Sequence, residues 1–241
     1  MSEIKITESS LRRGNVSYLY CALLEMINRT DARVDLKNGR NRYELKILVP
    51  DGYKEILTAE TEDKMADVIA VNYKYNYFKR NVKVGGLNKE QKELLLVALI
   101  SADLDEDKKY IIRKLRAFNE YSIDGIFNFR MKPLKEKWSE IISYIPTEFG
   151  AQSLKDFISY LIKDKVGKKV YYENGKIYDK HYNELKLNEL LGEKDEISNV
   201  KEIILSGAGE VEIVTNLTDI EAKYLKDFYG DKIVLASDNY S

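Results

Sequence analysis

Lys169-Val-Tyr-Tyr-Glu-Asn-Gly-Lys-Ile-Tyr178 decides the fold class. Two β-prone runs, 169–172 and 176–178, flank Asn174-Gly175, a dipeptide that suits a two-residue hairpin turn because both of its residues tolerate positive φ. Beyond it the pattern gives a strand over 210–215, a helix over 219–229 ended by Gly230, and a strand over 232–236. That order is a compact βαβ unit. The N-terminal region is also expected to hold strands. Val34 and Leu36 begin a short strand ended by Asn38-Gly39, and Tyr43, Leu45, Ile47 and Val49 alternate as a half-buried strand. Pro50-Asp51-Gly52 reads as a turn, with 53–58 returning as the second strand of a hairpin.

Between these regions the periodicity is helical. Asn15 is expected to cap a helix with Val16, Leu19, Tyr20, Leu23 and Ile27 on its apolar face. Thr61 opens a second helix, with Met65, Val68 and Ile69 inward and Tyr73 and Tyr77 extending the stripe. Asn88 caps a third through Ile100, and Asp103 or Asp105 caps a fourth through Phe118. Residues 123–131 read as extended. Lys132-Pro133 suits the first turn of a helix carrying Leu134, Trp138, Ile141, Ile142 and Ile145, because a proline there forfeits no helical hydrogen bond. Leu154, Phe157, Ile158, Leu161 and Ile162 mark another. Residues 199–208 stay open between helix and strand. The predicted class is α+β: a helical middle, an N-terminal β-hairpin part and a small C-terminal α/β part. The parts divide as 1–84, 85–165 and 166–241, with Gly85-Gly86 at the first boundary.

Composition narrows the function classes. With 44% hydrophobic residues the 241-residue chain can build a core, and disorder is excluded. A single Cys and a single His leave neither a disulfide framework nor a four-ligand Cys/His zinc site, so no metal and no cofactor is expected. The start lacks the apolar stretch of a signal peptide, and the longest apolar run, 94–100, is far short of the roughly 20 residues of a membrane span. A free thiol without an export signal points to a reducing cytoplasm. The net charge of −1 conceals a balance of +6 over 1–183 and −7 over 184–241, and six of the ten arginines fall between Arg12 and Arg42. A basic front and an acidic tail suggest a salt-sensitive electrostatic contact, within the chain or head to tail.

The individual motifs carry little chemistry. Asp103, Asp105 and Asp107 would need Gly and Glu where Lys108 and Lys114 stand to form a calcium loop. They read as acids at a helix N-terminus. Gly207-Ala208-Gly209 is followed by a strand rather than the helix a phosphate loop requires, so it reads as a tight turn. His181 reads as a loop residue, and Cys21, mid-helix among apolar residues, as packing. The aromatic–cation mixture from Tyr73 to Arg80 suits single-stranded nucleic acid, and equally suits a core-edge helix. Arg12, Arg13, Arg40 and Arg42, with Lys79 and Arg80, form the candidate anion or nucleic-acid surface.

Asp124-Gly-Ile-Phe-Asn-Phe-Arg130 is the densest local signal. Arg130 can pair there with Asp124, Glu136 or Glu140. Ile123-Asp-Gly-Ile-Phe-Asn-Phe-Arg-Met-Lys132 resembles the Gly, Phe and Phe-Arg signature of the YtxC-like sporulation proteins of spore-forming Firmicutes. Lys155-Asp-Phe-Ile-Ser-Tyr-Leu-Ile162 and the run over 200–207 are similar to later blocks of that family, and the resemblance spans roughly 115–236. Ile126 stands where the family often has Phe, and no His follows in 211–215. The resemblance implies a helix over 199–208, the signature positions Gly125, Phe129 and Arg130, and a cytoplasmic, sporulation-associated context. It implies no catalytic residue. The leading expectation is therefore a non-enzymatic protein that acts on an unknown protein partner. The alternatives are a nucleic-acid binder, which is not favoured, and an enzyme relying on carboxylates.

Overall fold

A computed structural model of the chain describes residues 1–163, 165 and 167–236. Val166, which opens the last of the three expected parts, residues 237–241 and the side chain of Arg13 lie outside the described residues. The fold is α+β with a helical middle. It divides into two compact units, each discontinuous in sequence: 1–76 with 105–141, and 77–104 with 142–241.

The first unit is built on a four-stranded sheet of order β2-β3-β1-β4, with β1 at Ser2–Ser9, β2 at Arg33–Asn38, β3 at Arg42–Val49 and β4 at Tyr121–Ser122. β3 alternates as expected and buries Leu45, Ile47 and Val49. Its partners are β2 and β1, both antiparallel, while β4 runs parallel to β1. Strand β1 fills the place expected for 53–58, and that expectation is corrected. Pro50 instead precedes a 3-10 turn, Asp51–Tyr53, that leads straight into α2, Lys54–Asp67. Leu57, Thr61 and Met65 are buried at helical spacing, so α2 starts well before Thr61. Helix α1, Arg13–Arg29, likewise begins before Asn15, which is a buried residue of its first turn rather than its cap. Of the expected face, Val16, Leu19, Leu23 and Ile27 are buried and Tyr20 is half-buried, whereas Cys21 is exposed and does not pack.

After α2 the helix continues as a π-helical turn, Val68–Tyr73, and then α3, Lys74–Asn81. Helices α5, Leu104–Leu115, and α7, Lys132–Ser143, flank a short α6, Ile123–Arg130. The extended reading of 123–131 is therefore corrected. Ile123, Ile126 and Phe127 are buried at i, i+3 and i+4, the spacing of one helix face. Asp107 on α5 is fully buried. Its Oδ2 accepts from Lys74 Nζ at 2.8 Å and from Trp138 Nε1 at 2.9 Å, and its Oδ1 accepts from Lys137 Nζ at 2.8 Å.

The second unit carries the other four-stranded sheet, β6-β5-β7-β8, formed by β5 Lys169–Glu173, β6 Lys176–Tyr178, β7 Glu210–Ile213 and β8 Ile233–Leu235. β5 and β6 form the hairpin, with Asn174 at φ 50° and Gly175 at φ 71°. β7 is parallel to β5 and β8, and α10, Asp219–Tyr229, connects β7 to β8 as expected. Helix α4, Lys89–Ser101, is capped by Asn88, which exchanges side-chain and backbone hydrogen bonds with Gln91. Its run from Leu94 to Ile100 is buried on every side, and α8, Ala151–Lys163, and α9, Ser198–Ser206, pack against it. Residues 199–208 are thus largely helical, and Gly207, at φ 64°, ends α9. A Cβ at Gly209 would stand 1.9 Å from the Lys165 carbonyl oxygen, so this glycine serves close backbone packing. None of the described helices is long and apolar enough to cross a membrane.

Removing Lys74 takes one of two ammonium partners from the buried Asp107 and leaves Lys137 at 2.8 Å, so the cost is at most that of fully breaking a buried ion pair, about 3–5 kcal/mol. Lys74→Met should therefore lower the free energy of urea unfolding by up to that amount, and adding Asp107→Leu should recover part of it. Equal stabilities of wild type and the single variant would show that the pair does not hold this unit.

Candidate functional site

A buried polar cluster with unpartnered atoms lies where the parallel strands β1 and β4 end. Strand parity puts Ile4, Ile6 and Glu8 on one face of β1, so the alternation that builds the core also carries a carboxylate into it. Glu8 is 0% exposed. Its Oε1 accepts a 2.7 Å hydrogen bond from the Tyr73 hydroxyl, and its Oε2 has no hydrogen-bond partner. Arg12, at the start of α1, lays its guanidinium 3.8 Å from the centre of the Tyr73 ring and leaves Nη1 buried without a partner. Asn15 lies close enough for its amide to favour the carboxylate, yet its Nδ2 makes no hydrogen bond of ordinary geometry. Phe127 closes the other side of Tyr73 at 4.5 Å between ring centres and stacks on Trp138 at 5.7 Å.

Burial pushes the Glu8 carboxyl up to about 7. The Tyr73 hydrogen bond opposes this, the charge of Asp124 adds to it, and Arg12 and Asn15 oppose it. Burial and the adjoining Glu8 also raise the Tyr73 phenol, so Tyr73 remains the donor of the pair. With no exposed surface, Glu8 meets no substrate in this arrangement. What the cluster does is fasten the end of β1 to the π-helical turn.

A second group fastens β4. Arg42 opens β3 opposite Ser9. Its Nη2 donates to Thr7 Oγ1 at 3.2 Å, Ser122 Oγ at 2.8 Å and Asp124 Oδ1 at 2.6 Å. Gly125 is small for the same reason: a Cβ there would meet Ser122 Oγ at 2.8 Å. Because Asp124 pairs with Arg42, it is not the partner of Arg130, which is exposed and makes no ion pair among the described residues. Phe129 is 81% exposed, so two of the three signature residues face solvent while Gly125 packs.

The residues of the expected anion surface fall in both units. Arg12 and Arg42 share the β1–β4 end, and both are engaged internally. Arg40 is exposed in the loop between β2 and β3. Lys79 and Arg80 belong to the second unit, where Lys79 pairs with Glu93 at 3.2 Å. His181 is exposed in a turn, and its backbone N–H donates to Asp179 Oδ1. Among the described residues no three His, Cys, Asp or Glu side chains are grouped to hold a metal ion. Glu8, Lys74 and Asp107 escape the sequence reading as functional residues. The alternation Ile4-Ile6-Glu8 is the signal that marks Glu8. No protein-family model matches the chain, and neither does any curated protein or solved structure.

A carboxyl that is protonated in the folded chain and ionised in the unfolded one makes folding less favourable as pH rises. The stability tied to Glu8 is present below its ordinary value of 4.5 and is lost by about 7. The loss amounts to ~3 kcal/mol at most. Glu8→Gln keeps an acceptor for Tyr73 without the titration. Urea unfolding between pH 5 and 8 should therefore fall less steeply in the variant than in wild type, and parallel profiles would contradict the assignment.

Proposed function

We propose that the protein acts by contacting another protein, with Phe129 and Arg130 as the contact residues, in the cytoplasm of a spore-forming Firmicute. The observation that carries this reading is the exposure of Phe129 beside an exposed Arg130 on a helix whose other face is locked into the core by Ile123, Ile126 and Phe127. Aromatic residues and arginine are enriched among the residues that dominate binding energy at protein interfaces. Burying a phenylalanine side chain is worth about 1.5–3 kcal/mol, which the free chain forgoes. Rigid support from the Phe127–Trp138 stack reduces the ordering that binding would require. The sporulation context rests on the resemblance of 123–132 to the YtxC-like signature alone.

A nucleic-acid surface over Arg12–Arg42 has weaker support, because the guanidinium of Arg12 stacks on Tyr73 and that of Arg42 serves three internal acceptors. A carboxylate enzyme has weaker support still, since Glu8 is sealed from solvent.

Phe129→Ala and Arg130→Ala should leave stability within about 0.5 kcal/mol of wild type, as surface changes do. Each should weaken binding of the partner captured from sporulating cells by at least about tenfold when binding is reconstituted with purified proteins. Unchanged affinity in both variants would reject this surface.

A further inference from the structure

The second unit holds a groove of about 500 Å³ between the end of α3 and the start of α4. Lys79, Lys83, Lys89 and Lys92 line it, above a floor of Val82, Val84 and Leu96. The spacing explains the arrangement. Lys79 stands in the last turn of α3 and Val82 and Lys83 follow directly after it, while Lys89, Lys92 and Leu96 fall at i, i+3 and i+7 on α4, so each side of the groove contributes both cations and aliphatic carbon. Glu93 is the one acid in the lining, and it pairs with Lys79. Lys83, Lys89 and Lys92 have no acid partner among the described residues.

The frame of the groove is fixed. Gly86 takes φ 79° to let the chain double back. The Gly85 N–H donates to the Thr147 carbonyl at 2.7 Å, and the Phe149 N–H donates to the Gly85 carbonyl at 3.2 Å. A Cβ at Gly85 would meet the Glu148 carboxylate at 2.9 Å. On the other side, the Asn88–Gln91 capping pair sets the direction of α4. A concave, preformed site of this size lies within the range of ligand pockets.

We infer that this groove binds an acidic peptide segment that seats one aliphatic side chain on the Val82–Val84–Leu96 floor. Charge complementarity selects the acid, and the apolar floor selects the anchor. From Lys89 to Leu96 the helix rises about 10 Å, which an extended segment covers in about three or four residues. Nucleic acid fits less well. The lining has no aromatic face on which a base could stack and no arginine fork for phosphate. This site is independent of the Phe129–Arg130 surface, and either can fail without the other.

The test is fluorescence anisotropy of the full-length protein at low salt, with a fluorescein-labelled peptide rich in Glu and Asp around one central Leu. Binding should weaken roughly tenfold in the double variant Lys83→Glu, Lys92→Glu, and strengthen in Glu93→Gln. A peptide with Ser in place of its Leu should bind more weakly than the original. Circular dichroism checks that the variants, which alter only rim side chains, keep the fold. Absence of binding, unchanged affinity in the lysine double variant, equal affinity for the Ser peptide, or equal affinity for oligothymidylate of matching charge would each overturn the inference.

Discussion

The first unit depends on two consecutive residues. Tyr73 ends the π-helical turn and Lys74 begins α3, and each reaches a different buried acid, Glu8 on β1 and Asp107 on α5. Neighbouring helical residues point about 100° apart. One stretch of helix is therefore clamped from two directions, by the sheet and by the α5–α7 pair. π-Helical turns are uncommon and concentrate where geometry is specialised. Here the turn and the residue after it deliver a phenol and an ammonium to two buried acids.

Such interior polar groups need not add net stability. Desolvating Lys74 and Asp107 costs about what their attraction returns, and apolar residues of the same shape often do as well. What the arrangement supplies is uniqueness. Asp107 accepts from Lys74, Trp138 and Lys137 together, so any other register of α5 or α7 strands at least one of these groups. Glu8 is the less complete counterpart, with one oxygen bonded and the other not.

Much of the fold is legible where turn chemistry and periodicity agree. Asn174-Gly175 has the positive φ values its residues suit, and Asn88 caps α4 because Gln91 stands where it can reciprocate. The failures come from ambiguous signals. Pro50-Asp51-Gly52 serves equally before a strand or a helix, and only Leu57, Thr61 and Met65 decide for the helix. Residues 123–130 are short and rich in Phe and Ile, which suits a strand by composition; Ile123, Ile126 and Phe127 reveal the helix face by spacing. Strand β1 is missed in the sequence although Ile4 and Ile6 alternate, and its pairing with β3 links residues 2–9 to 42–49, a distance over which no local pattern reports a partner. For the signature residues, exposure separates what the motif leaves together. Gly125 packs closely on Ser122, whereas Phe129 and Arg130 are exposed.

Net charge along the sequence is a poor guide to where an anion would meet this chain. The arginines of the front are its most conspicuous basic feature, yet Arg12 covers a tyrosine and Arg42 ties together β1, β4 and α6. A planar fork of donors is well suited to such internal joints. The lysines of the α3–α4 turn are less conspicuous in sequence, being interleaved with Val, Gly and Glu. Helical spacing and a glycine turn bring them around one apolar floor, where their fields overlap and their stems cover carbon. Local apposition of like charges over a low-dielectric surface concentrates potential in a way that a count over 183 residues does not. By that physical criterion the lysine groove is better placed to attract an anion than Arg12 or Arg42, whose guanidinium groups are already engaged within the first unit.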